Sequence, residues 1–96
     1  MADGGRSNKD IARRLVALRS ALGLNQAAFA ALVEITQPAM SNYESALRRP
    51  DIDVAIKIQT RTGATLDWLY LGDRNGLPQR LLAALPDLSG DIRRAG

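Results

Sequence analysis

The chain has 96 residues, which is enough for one domain with its own core. Its formal net charge of +3 permits nucleic-acid binding but does not establish it. It contains neither cysteine nor histidine, which excludes disulfides, thiolate metal sites and the commonest general base. With no nucleophile–base pair or phosphate-binding loop among the other residues, we expect no enzymatic activity, no metal and no cofactor.

Residues 1–8 are polar and contain glycine, so we predict a disordered N-terminal arm there. This segment lacks the apolar stretch of a signal peptide, and no run in the chain approaches the ~18 apolar residues of a membrane span. We therefore expect a cytoplasmic protein without membrane contact.

A first helix is predicted to begin near Lys9 or Asp10 and to end at Gly23, which suits a left-handed helix cap. Its apolar stripe follows helical spacing and consists of Ile11, Leu15, Leu18 and Leu22. Arg13 and Arg14 are expected to face away from that stripe.

Asn25 is a good N-cap for a second helix, QAAFAALV, with Phe29, Leu32 and Val33 on its core side. Thr36 caps a third helix that runs to Glu44. Proline is tolerated in the first turn of a helix, where its missing N–H would have no intrahelical partner, so Pro38 fits.

The third helix has two different sides at 100° per residue. Met40, Tyr43 and Glu44 share one side. The other side holds no large apolar residue and no charge, and consists of Gln37, Pro38, Ser41, Asn42 and Ser45.

After a loop over 45–50, Asp51 and Asp53 open a fourth helix that ends at Gly63. Its core side is predicted to carry Ile52, Ala55, Ile56 and Ile58. Thr65 caps a short fifth helix, LDWLYLG, and LPQRLLAAL at 77–85 leaves room for one more helix. No alternating strand pattern is present, so the chain is predicted to be all-α.

The segment GLNQAAFAALVEITQPAMSNYE, at 23–44, resembles the helix-turn-helix core of the Cro/C1-type (XRE) family of phage and bacterial repressors. The resemblance rests on Gln26 opening the second helix, Ala30 in its middle, Ile35-Thr36 at the turn and MSNYE at the end, and continues through RRP at 48–50 and TLDWLYLG at 65–72. Two departures place Glu34 and Ala46 where the family usually has glycine, so a positive φ is expected at Glu34.

The resemblance implies a compact five-helix bundle of the lambda-repressor-like DNA-binding type, with an extra C-terminal helix left open. It assigns residues 9–72 to the DNA-binding domain. The tail over 73–96 lies outside the match. The resemblance leaves open whether it forms a short helix and whether it makes a dimer or partner contact.

The resemblance also implies that the helix over 36–45 reads the major groove. A glutamine amide can pair with N6 and N7 of adenine, and a proline can press on a thymine methyl. The implied base contacts are Gln37, Pro38, Ser41 and Asn42. The implied phosphate contacts are Asn25, Gln26, Ser45, Arg48 and Arg49. The alternative is a solvated helix face, with Asn25 as a plain cap and the arginines in a solvated loop.

In this family an arginine near the end of the first helix pairs with the glutamate that closes the third. Arg19 and Glu44 occupy those positions, so we expect a structural ion pair. Phe29, Met40, Tyr43 and Trp68 are expected in the core, although a dimer contact at Trp68 and the tail stays open.

We therefore expect a sequence-specific, double-stranded-DNA-binding transcription regulator. It would be a repressor and a homodimer on a near-palindromic operator. One alternative is an antitoxin-type autoregulator with a protein partner bound through 73–96. Another is a helical protein-interaction module that has lost DNA binding, which should carry acids or large apolar residues on the third helix. Gln37, Ser41 and Asn42 argue against that module.

Overall fold

The computed structural model describes residues 6–86, and these residues form six α-helices and no strand. The helices are α1 (Asn8–Ala21), α2 (Gln26–Leu32), α3 (Gln37–Glu44), α4 (Ile52–Thr62), α5 (Leu66–Leu71) and α6 (Gln79–Ala84). The predicted all-α bundle is confirmed, and α6 is the extra C-terminal helix that the sequence left open. No single helix in this part of the chain is long and apolar enough to cross a bilayer. Only α1 and α2 taken together reach that length, and a 90° bend lies between them.

The first five helices each begin at a side-chain cap, in which an oxygen accepts a hydrogen bond from the N–H three residues on. The caps are Ser7, Asn25, Thr36, Asp51 and Thr65. The cap at Ser7 starts α1 at Asn8, slightly earlier than predicted. Residues 1–5 of the predicted arm lie outside the described residues.

The core is built from one face of every helix. Helix α3 packs against α1 and α2, and α5 packs against α1 and α4. The largest apolar side chains in this core are Ile11, Leu15, Leu18, Phe29, Val33, Met40, Ile58, Trp68, Leu69, Leu77, Leu81 and Leu85. This packing fixes α3 at the surface with its polar side turned outward.

The tail contributes to the same core as far as residue 86. Leu77, Leu81 and Leu85 are buried, and Arg74 Nη2 donates to two carbonyl oxygens of the α6 segment at 3.1 and 3.2 Å. Trp68 has 0% exposure, which confirms its predicted place in the core and leaves its side chain no surface for the dimer contact that the sequence left open. The rest of the predicted partner segment, residues 87–96, lies outside the described residues.

Arg14 is buried, contrary to the expectation that it faces solvent. Its exposure is 0%, and Nη1 donates to the carbonyl oxygen of Leu69 at 3.0 Å. Arg14 follows Ile11 by three residues and precedes Leu18 by four, so the helical period itself places it on the buried stripe. A carbonyl in the last turn of α5 has no intrahelical partner, and the guanidinium supplies one.

Two isoleucines of α4 lie outside the core, which corrects the predicted core side of that helix. Ile52 and Ile56 are 54% and 49% exposed. The buried positions are instead Ala55, Ile58 and Thr62. Leu32 of α2 is also exposed, although it was predicted to be buried. In α2 and α4, therefore, an apolar side chain alone does not identify the buried side of the helix.

Candidate nucleic-acid interface

The turn between α2 and α3 passes through Glu34, which adopts φ of 60° as predicted. Such a left-handed residue costs about 1–2 kcal/mol unless it is glycine. Two residues of α4 hold it in place. Arg61 Nη2 bonds to the Glu34 carboxylate at 2.8 Å, and Lys57 Nζ donates to the Glu34 carbonyl oxygen at 3.3 Å. Both sides of the ion pair are exposed, so it offsets only part of that cost.

The turn after α3 uses a second left-handed residue, Ala46, with φ of 67°. Helix α3 ends in hydrogen bonds to the Asn42 carbonyl oxygen from the backbone N–H groups of Leu47 at 3.0 Å and Arg48 at 3.3 Å. This closure turns the chain sharply and leaves Arg48 exposed beside the end of α3.

Arg19 and Glu44 form a two-point ion pair between α1 and α3. Nε lies 2.7 Å from one carboxylate oxygen and Nη2 lies 3.1 Å from the other. The side chains are 23% and 8% exposed, so the pair is largely withdrawn from water. The hydrogen bond with Glu44 raises the pKa of the Arg19 guanidinium, so Arg19 stays charged at any ordinary pH.

Gln26 extends this pair towards the tip of α3. Its Nε2 donates to Glu44 Oε1 at 3.2 Å, and its Oε1 accepts from Gln37 Nε2 at 3.5 Å. We call the chain of side chains Arg19–Glu44–Gln26–Gln37 the polar relay. A carboxylate can only accept, so Gln26 must turn its NH2 group towards Glu44 and its oxygen towards Gln37.

The orientation of the Gln37 amide follows from the same reasoning. Its NH2 group faces Gln26 and uses one of two N–H donors there. The second N–H and the carbonyl oxygen remain for a ligand. One donor and one acceptor side by side match the N7 and N6 positions of adenine.

The four residues predicted to contact bases all lie on α3, but they are not equally accessible. Gln37, Pro38 and Ser41 are exposed, whereas Asn42 is half-buried. Pro38 sits in the first helical turn without breaking it. The accessible part of α3 therefore runs from Gln37 to Ser41.

Three polar residues predicted to contact phosphate are engaged within the protein, and one of them is Gln26 of the polar relay. Asn25 accepts from the N–H of Ala28 at 2.8 Å, which is the cap of α2. The Ser45 hydroxyl donates to the Asn42 carbonyl oxygen at 3.2 Å. Each residue thus has a structural role. Each also keeps further hydrogen-bonding groups that are available for a DNA contact.

Arg49 is directed towards the start of α1. Its Nε donates to the Asn8 side-chain oxygen at 2.8 Å, and its Nη2 donates to the carbonyl oxygen of Arg6 at 2.9 Å. The Asn8 amide in turn reaches the carbonyl oxygen of Ala46 at 3.4 Å. Arg49 therefore ties the N-terminus of α1 to the turn after α3, although both Arg48 and Arg49 are exposed.

Sequence reasoning did not identify Lys9 and Arg13 as site residues. They line one groove of about 560 Å³ with Ser45 and Ala46, at the end of α3, and apolar residues of α1 form its floor. Lys9 is exposed, and Arg13 pairs with Asp10 at 3.3 Å. The crowding of basic residues near the N-terminus was the available signal, but only the fold shows that they lie beside α3.

Residues 15–69 match the family described as Helix-turn-helix, which is more than half of the chain. The matched region runs from the middle of α1 into α5 and contains the whole of α2, α3 and α4. No curated protein and no solved structure matches the chain.

Proposed function

The chain belongs to the Cro/C1-type (XRE) helix-turn-helix family of DNA-binding transcription regulators, and on that premise we propose that it is a repressor that occupies a near-palindromic operator as a homodimer. The observation that carries this proposal is the polar relay, which presents the Gln37 amide in one orientation at the exposed tip of α3.

Base reading follows from the chemistry of that tip. Gln37 pairs with N6 and N7 of an adenine in the major groove. Pro38 contacts the methyl group of a neighbouring thymine, and Ser41 donates or accepts one turn further along. Asn42 is half-buried, so it serves at the margin of the interface. The 3.5 Å contact with Gln26 favours this orientation of the Gln37 amide before binding, which reduces the conformational entropy lost in the complex.

Phosphate contacts lie on both sides of the reading surface. Asn25 and Gln26 meet one strand at the start of α2. Arg48 and Lys9 meet the backbone beyond the end of α3, where Arg49 supports the turn that carries Arg48. These contacts set the position of α3 on the duplex but do not select the sequence.

Two copies bound to one operator would place their reading helices about 34 Å apart, one turn of DNA. Occupation of a promoter in this way blocks transcription without any sensor. An antitoxin role is less well supported, because the apolar residues of the tail as far as residue 86 belong to the chain's own core.

Fluorescence anisotropy with a labelled mixed-sequence duplex tests the proposal. We expect binding at low salt with a steep salt dependence, and we expect Arg48→Ala to reduce the salt slope by about one. Arg80→Ala removes the same charge from the exposed surface of α6, away from α3, and should leave the slope unchanged. Absence of binding at low salt would contradict the proposal.

A further inference from the structure

The groove along α1 has an apolar floor that residues 6–86 leave uncovered. One stripe of α1 at helical spacing lines it, and the middle of that stripe carries Ala12, Val16 and Ala17. Val16 is 36% exposed, and the two alanines leave space above them. The volume of about 560 Å³ lies within the range of ~300–1,000 Å³ that is usual for small-molecule sites. The groove is therefore large enough to cover a small apolar ligand.

The opposite wall of the groove is the end of α3 with the turn that follows it. It consists of Glu44, Ser45 and Ala46. The Glu44 side chain is 8% exposed and is paired with Arg19, so this wall presents little net charge. Ala46 adds one methyl group to the apolar surface of the floor.

Positive charge lies at one end of the groove only. Lys9 and Arg13 line the end nearest the start of α1. Arg13 pairs with Asp10 at 3.3 Å, whereas Lys9 has no ion-pair partner among residues 6–86. The excess charge of the groove is thus the single charge of Lys9. A carboxylate balances it, whereas a phosphate monoester carries a charge of about −1.5 to −2.

The distance between the charged end and the apolar floor sets the shape of the ligand. Lys9 and Val16 are seven residues apart on α1, which is about 10 Å along the helix axis. A linear ligand with an anionic head at one end and an apolar body of that length matches both parts of the groove.

From these features we propose that the groove binds a medium-chain carboxylate, with its head group on Lys9 and its apolar chain on Ala12, Val16 and Ala17. Lys9 also lies among the residues proposed to meet the DNA backbone. A carboxylate bound there neutralises Lys9 and repels the phosphate, so the ligand and DNA compete and the ligand acts as an inducer. This regulation rests on the proposed function, whereas the binding of the ligand does not.

Isothermal titration calorimetry of the full chain with decanoate, without DNA, tests the binding. We expect a dissociation constant of about 0.1–1 mM and a rise in Tm, because a ligand that binds only the folded state stabilises it. Decylammonium has the same chain with the opposite charge and should bind at least about fivefold more weakly. No binding at about 5 mM decanoate, a fall in Tm, or equal binding of decylammonium would overturn the proposal.

Two pairs of variants test the position of the ligand. Val16→Glu places a carboxylate on the floor and should raise the decanoate dissociation constant at least about fivefold. Leu71→Glu makes the same type of change on α5 at 37% exposure and should leave the constant within about twofold. Lys9→Gln should raise it at least about threefold, and Arg80→Gln, which removes a charge from α6, should leave it within about twofold.

Equal effects of a variant and its control would overturn the proposal, as would an effect in only one of Val16→Glu and Lys9→Gln. Thermal melts of each variant check that it folds.

Fluorescence anisotropy with a labelled duplex tests the regulation, with the sodium concentration kept equal in all samples. Decanoate should raise the DNA dissociation constant of the wild type at least about fivefold and that of Val16→Glu less than about twofold. An unchanged DNA affinity of the decanoate-bound wild type would overturn the role as an inducer. If the chain does not bind DNA at all, the proposed function fails, while the calorimetry still decides the groove.

Discussion

Glu44→Gln is the most informative single substitution, because it changes the charge at the centre of the polar relay and keeps the side-chain shape. Glu44 accepts hydrogen bonds from Arg19 Nε at 2.7 Å, Arg19 Nη2 at 3.1 Å and Gln26 Nε2 at 3.2 Å. A glutamine has only one oxygen, so its NH2 group must face one of these donors. At least one hydrogen bond is lost and the Arg19 charge loses its counterion.

The expected cost follows from the burial of the pair. Removal of one partner of a fully buried pair costs about 3–5 kcal/mol. Arg19 is 23% exposed and gains some hydration, so we expect about 1–3 kcal/mol. For a domain of this size each kcal/mol lowers Tm by roughly 4–8 °C, which gives a fall of roughly 4–24 °C.

Thermal and urea unfolding measure this loss, and Glu34→Gln is the matched control. The Glu34–Arg61 pair has a similar distance, 2.8 Å, but its side chains are 60% and 45% exposed. We expect the control to cost no more than about 1 kcal/mol. If Glu44→Gln were no more destabilising than Glu34→Gln, the reasoning about the relay would be refuted.

Three further predictions concern residues around the site. Arg14→Ala should lower the free energy of unfolding in urea by about 2–4 kcal/mol, because it leaves the buried carbonyl of Leu69 without its hydrogen bond. Arg13 is exposed, so Arg13→Ala should cost less than about 0.5 kcal/mol. Similar losses in the two variants would contradict the buried role of Arg14. Ala46→Gly should stabilise the folded protein by about 0.5–1 kcal/mol, because glycine adopts the positive φ of this position without strain. A lower Tm in this variant would contradict the prediction. Burial first, and then the charge of Asp51, raises the pKa of the Tyr70 hydroxyl, so the folded state holds its proton more tightly. The unfolding free energy should therefore fall as pH rises above about 10, and Tyr70→Phe should flatten that dependence; an unchanged slope would contradict it.

Much of the fold was predictable because its determinants are local. The caps at Asn25, Thr36 and Thr65 and the stop at Gly23 each depend on a few adjacent residues. Pro38 was correctly placed in a first turn for the same reason. The resemblance to a known family then supplied the pairing of Arg19 with Glu44, which spacing alone does not indicate.

The errors arose where burial depends on distant contacts. Arg14 is buried because a carbonyl of α5 accepts its hydrogen bond, and that carbonyl is fifty-five residues away in sequence. Ile52 and Ile56 are exposed because Ala55 and Ile58 already fill the side of α4 that meets the core. The Gln26–Gln37 contact likewise depends on the angle between two helices. The exposure of the two isoleucines and the Gln26–Gln37 contact do not follow from the local sequence, whereas the helical period of α1 already indicated the buried side for Arg14.

The central claim is that α3 reads a DNA sequence through an oriented Gln37 amide. Selection of random duplex DNA by the purified chain, followed by sequencing of the bound pool, tests it most directly. We predict an enriched near-palindrome for the wild type. Gln37→Ala should lose the preference at one base position per half-site. Gln79→Ala makes the same substitution at an exposed position of α6 and should leave the motif unchanged. An unenriched pool, or an identical motif from Gln37→Ala, would contradict the claim.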